Sequence, residues 1–121
     1  MANHNSVQAV GVKVTTTDAT ATEIARFQTQ EDKTYLVTAR IIGKSTTNNG
    51  GYILAATFKN VDGTVTQVST TTAVATHEDA GGWAATIAVD AVTDTTDVIV
   101  TVTGEAAVTV NWVAALDILE V

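Results

Sequence analysis

The sequence predicts an all-β protein, an antiparallel β-sandwich of about eight strands with a jelly-roll-like winding. Three observations carry that reading. Thr makes up about a fifth of the 121 residues and Val and Ala about 15% each, while Pro is absent. Thr and Val branch at Cβ and pack well on a pleated surface, whereas Pro would remove ladder donors. Nearly every segment alternates with period 2, the spacing of a strand with one covered face. Asn, Asp and Gly punctuate the chain at intervals of roughly ten to fifteen residues, as short antiparallel strands require.

Taken in order, VQAVGVKVTTT aligns Val10, Val12 and Val14 on one face. Between Asp18 and Phe27 the alternation weakens, so a strand and a short helix both fit. KTYLVTARIIGK puts Tyr35, Val37, Ala39 and Ile41 on one face. Its other face mixes Leu36 and Ile42 with Thr38 and Arg40, which predicts partial cover there. Asn48 to Gly51 is a turn signal, because Asn and Gly accept the positive φ of tight hairpins. GYILAATFKN then aligns Tyr52, Leu54, Ala56 and Phe58, and Asn60 to Gly63 joins it to TVTQVST through a type I turn closed by a glycine bulge. TTTAVATHEDAGG reads as a long connection or as an edge strand plus loop. WAATIAVDAV aligns Trp83, Ala85, Ile87 and Val89, and TDVIVTVTG aligns Val98, Val100 and Val102. After a turn at Thr103 to Ala106, the closing run places Val108, Val110, Trp112, Ala114, Leu116 and Ile118 on one face and Thr109, Asn111 and Asp117 on the other. Trp83, Trp112, Val110 and Leu116 are therefore expected to pack in the core. Residues 1–17 read as an N-terminal arm with a candidate first strand, and 18–121 as a single sandwich domain.

Composition also excludes. A formal net charge of -7 repels phosphate backbones and anionic membrane surfaces, so nucleic acid and membrane are not expected partners. The chain has no Cys, hence no disulfide and no thiolate zinc site. MANHNSVQAV lacks the basic-then-apolar pattern of a secretion signal, and no segment reaches the roughly 20 apolar residues of a membrane helix.

A search for chemistry finds no catalytic constellation, cofactor motif or metal motif. Of the two histidines, His4 lies in the arm and His77 in the polar stretch HEDAGG, where a solvated histidine is expected rather than a base. Glu78, Asp79, Asp90, Asp94 and Asp97 supply oxygen ligands but not the every-second-residue spacing of a calcium loop. Calcium stands as an alternative to plain solubilising acids. Gly50-Gly51 and Gly81-Gly82 read as turn glycines, with no helix after them to cradle a phosphate. The six aromatics fall in inward slots, Phe27 least clearly, so sugar stacking is not expected. The protein is not expected to be an enzyme.

Three stretches, in order, resemble a family of small bacteriophage virion β-domains: TEIARFQTQEDKTYLVTARIIGK with GGYILAATFKN, then VDGTVTQVSTTTAVATHEDAGGW, then VTVTGEAAVTVNWVAALDILEV. The resemblance covers Thr22 to Val121. It implies a homotrimer that serves either as a capsid decoration (cement) protein on the outer surface of the head, bound to the major capsid protein, or as the terminal domain of a tail or head fibre with a receptor- or carbohydrate-binding role. Because only Met1 to Thr17 precede the family-like region, the expectation is a self-standing decoration protein. On that reading Asn3, His4, Asn5 and Val7, within an arm from Ala2 to Val10, are the candidate capsid contacts. Val37-Thr38-Ala39 and Ala84-Ala85 are the candidate small-residue surfaces for subunit approach. A free-standing carbohydrate-binding module ranks third.

Overall fold

A computed structural model describes residues 6–79 and 82–121, with side chains from residue 11 onward. Its strands are β1 (Ser6–Thr16), β2 (Thr22–Gln28), β3 (Lys33–Lys44), β4 (Asn49–Val61), β5 (Thr64–Glu78), β6 (Ala84–Val89), β7 (Asp97–Thr103) and β8 (Val110–Glu120). They form a larger sheet in the order β1-β8-β3-β4-β5 and a smaller one in the order β2-β7-β6, with every pairing antiparallel. The outer windings nest as in a jelly roll, β1 on β8 and β2 on β7. The inner ones do not: β3-β4-β5 run as a meander on the larger sheet and β6-β7 as a hairpin on the smaller.

Several local expectations are settled or corrected. The stretch from Asp18 to Phe27 contributes strand β2, because pairing with β7 recruits its weak alternation into a sheet. TTTAVATHE continues TVTQVS as one 15-residue edge strand, kinked by two register shifts and by the positive φ of Ser69. The β4-β5 turn has two residues, Asp62 at φ 52 and Gly63 at φ 85. Two positive φ values make it type I′, which matches the strand twist, in place of the expected type I turn with a bulge. The β3-β4 loop is Ser45 to Asn48, closed by the Ser45 amide donating to the Asn48 carbonyl at 2.8 Å. Gly50 and Gly51 therefore lie inside β4; at Gly50 a Cβ would meet the Tyr52 hydroxyl at 2.9 Å, so glycine is kept there for space.

The core lies between the sheets. Tyr35, Val37, Ala39 and Ile41 of β3, Tyr52, Leu54, Ala56 and Phe58 of β4, and Val110, Trp112, Ala114, Leu116 and Ile118 of β8 are buried there. Val98, Val100 and Val102 of β7 with Ile87 of β6 oppose them. Trp112, 1% exposed, packs against Trp83 with ring centroids 5.4 Å apart and against Tyr52 at 6.2 Å. Its indole N–H donates to Thr16 Oγ1 at 3.0 Å, which ties β8 to the end of β1. Gly43 faces this ring across the β3-β8 ladder, and a Cβ there would sit 2.6 Å from it. The final residue is held by the ladder, since Thr34 and Val121 exchange two backbone hydrogen bonds of 2.9 Å.

Candidate functional site

The side chains that leave the core from the larger sheet form its outer face, and among the described residues no second layer covers them. Register stacks them in rows. Leu36 lies between Leu119 and Thr57, Thr38 between Asp117 and Ala55, Arg40 between Ala115 and Ile53, and Ile42 between Val113 and Gly51. On β5 the rows are extended by Val68, Thr72, Ala75 and His77 in turn. The result is a mostly apolar surface on which Leu36 is 44%, Ile42 59%, Leu119 48% and Ile53 36% exposed. At its centre is an open depression of about 530 Å³, lined by Gly11, Arg40, Ile42, Gly51, Ile53 and Val113. Gly11 lies on the β1 side, where the β1-β8 register shifts at a bulge, and among the described residues nothing comes within 4 Å of where its Cβ would be.

Charge is distributed unevenly on this face. Arg40 stands in an apolar row between Ala115 and Ile53 and Asp117 one row away on the neighbouring strand beside Thr38, while Lys13, Lys44 and Lys59 sit toward the margins. Neither Arg40 nor Asp117 has an ion pair among the described residues. The outer face of the smaller sheet carries Thr86, Thr101 and Thr103 beside small Ala84 and Ala88 and a half-buried Ile99.

Arg26 organises the acidic residues that suggested calcium. Its Nη1 lies 2.9 Å from Asp97, 3.1 Å from Asp90 and 3.6 Å from Asp94, and Glu23 pairs with its other nitrogens. Asp90 also accepts the backbone N–H groups of Val92, Thr93 and Asp94. Those amides, with Arg26 behind them, hold its carboxyl down at about 2. Hydrogen bonding to Arg26 lowers Glu23, and the same carboxylates push the guanidinium up. The cation at the centre of this cluster is thus the protein's own, and it locks the β6-β7 connection in place. Glu78 and Asp79 lie elsewhere: Glu78 accepts from the Tyr52 hydroxyl at 2.6 Å, and Asp79 accepts from the backbone and side-chain nitrogens of Asn49. Burial first, then that Glu78 contact, raises the Tyr52 phenol. Among the described residues no group of three His, Cys, Asp or Glu side chains is arranged to hold a metal. His77 is exposed on β5 opposite Gly51, and its side chain makes no hydrogen bond among them.

The remaining predicted site residues fall in three places. Asn3, His4 and Asn5 lie outside the described residues. Val7 does not belong to a free arm, because β1 starts at Ser6 and pairs Val7 with Ile118. Residues 6–16 are accordingly an edge strand of the sandwich, joined to β8 along its length. Val37 and Ala39 are fully buried in the core and cannot form a subunit surface; only Thr38 of that trio faces out. Ala84 is exposed and Ala85 half-buried on β6.

No family model and no curated protein matches the chain. Among solved structures it is similar to the tailspike protein of Acinetobacter phage vB_ApiP_P1, at 16% identity and a TM-score of 0.33. That match covers 98% of this chain and 21% of the tailspike, so the chain spans about a fifth of the tailspike's length.

Proposed function

We propose that this chain is a structural protein of a bacteriophage virion: a capsid decoration protein that self-associates, as a homotrimer, and binds the major capsid protein on the outside of the assembled head. The observation that carries this reading is the apolar outer face of the larger sheet. A face of that size is one that assembly covers, and it belongs to a sandwich whose segments follow the order of the virion β-domains they resemble. The aromatic side chains favour cement over a carbohydrate-binding fibre tip. Tyr35, Tyr52, Phe58, Trp83 and Trp112 are buried, and Phe27 packs on Tyr35 with centroids 5.4 Å apart. A sugar-stacking surface would need such rings outside.

The test is reconstitution. The protein is mixed with phage heads that lack it, and binding and head survival under heat or osmotic shock are measured. Saturable binding with raised resistance is expected. Binding to host cells and not to heads would transfer the protein to the fibre role and sink the decoration reading.

A further inference from the structure

We propose that the outer face of the larger sheet is covered by another copy of this chain, and that Arg40 of one copy pairs with Asp117 of the next. The proposal deepens the self-association in the proposed function and rests on it. Three observations lead there. The face is large enough: five strands span about 24 Å and ten residues about 33 Å, roughly 800 Å² per copy, which is the size of a standard protein interface. It is apolar where a contact would be driest, through Leu36, Ile42, Ile53, Val113, Ala115 and Leu119.

Its central charges are self-complementary. Covering a guanidinium or a carboxylate with an apolar surface is costly, so a cover that brings a carboxylate to Arg40 and a cation to Asp117 is favoured over a wholly apolar one. This face holds one of each in its middle, without an ion pair to each other or to any described residue. Further copies of this chain supply both partners: in a cyclic trimer Arg40 meets the Asp117 of one neighbour, and Asp117 meets the Arg40 of the other. The three lysines lie at the margins, where solvent screens their repulsion. The depression beside Arg40 leaves room for an incoming side chain.

The experiment follows the molar mass of the full chain by light scattering and sedimentation over a range of concentrations, with tryptophan fluorescence reporting the fold. Wild-type protein is expected to be an oligomer. Ile42→Lys and Arg40→Asp should each weaken association by about tenfold or more while the spectrum of the buried Trp83–Trp112 pair stays unchanged. Asp117→Arg should weaken it likewise, and Arg40→Asp combined with Asp117→Arg should restore it. If Ile42→Lys fails to fold, the charge reversals carry the test alone. A wild-type monomer at every concentration overturns the proposal, as does an oligomer indifferent to Ile42→Lys and Arg40→Asp, and failure of the double reversal overturns the pairing. Head binding is scored separately. A monomer that binds heads only while Ile42 is intact would give this face to the capsid protein and leave decoration standing; an oligomer dissolved by these changes that never binds heads leaves the interface standing without decoration.

Discussion

Ile41 and Ile42 are neighbours in sequence and identical in chemistry, yet Ile41 is 3% exposed and Ile42 59%. They belong to the two faces of one strand. Along β3 the inner set Tyr35, Val37, Ala39 and Ile41 meets the smaller sheet across the core, while Leu36, Thr38, Arg40 and Ile42 have no facing layer among the described residues. Both faces carry large apolar residues, the outer one mixed with Thr38 and Arg40, but only the inner one has a second layer over it among the described residues. Only three strands are available to cover five, and they all lie on one side. An apolar residue on a strand is therefore evidence that something will cover it, without being evidence of what.

Substitutions can break or sharpen this contrast. The largest effect is expected from Trp112→Ala, which empties the centre of the inner face and orphans the Thr16 hydroxyl; it should cost about 3–5 kcal/mol in urea unfolding. An unchanged midpoint would mean the inner face is not the core. Gly43→Ala drives a Cβ against that ring from the next strand and should cost about 1–3 kcal/mol through overpacking. The most direct comparison is the isoleucine pair. Ile41→Val should cost about 0.5–1.5 kcal/mol. Ile42→Val, measured in dilute dissociated protein, should stay within about 0.5 kcal/mol. Equal costs at the two positions would erase the distinction between the faces.

A further effect is expected in acid and concerns the β6-β7 connection instead of either face. Asp90 is held at about 2 in the folded chain against about 3.9 for an unperturbed Asp. Its ionised form thus contributes stability fully above the unfolded value, and that contribution is lost as pH falls from about 4 through about 2. Urea midpoints taken from pH 5 down to pH 2 should fall less steeply for Asp90→Asn than for wild type. Identical slopes would mean that the amides of Val92, Thr93 and Asp94 do not hold the carboxylate.

Much of this could be read in advance, because the period of a strand is local. The inward sets of β3, β4, β7 and β8 follow from alternation alone, and the Asp62-Gly63 hairpin from residues that accept positive φ. Where alternation was weak, as before Phe27, or where a long polar stretch such as TTTAVATHE carried it, the period could not decide between strand, helix and loop. The candidate surface was legible only in part. Leu36 and Ile42 marked a second face, but the trio Val37-Thr38-Ala39 looked like small-residue contact surface until its alternate members fell into the core. Arg26 carried no signal at all as the counterion of Asp90, Asp94 and Asp97, which lie more than sixty residues away in sequence.

By itself, then, the sequence determined the secondary structure class and which residues share a face, since both are properties of a few consecutive residues. Tertiary structure alone decided that β8 lies between β1 and β3, that glycine is required where Trp112 crosses β3, and that five strands are faced by three. Those outcomes depend on partners distant in the chain, and hydrogen-bonded ladders between distant segments leave no periodic mark in either one.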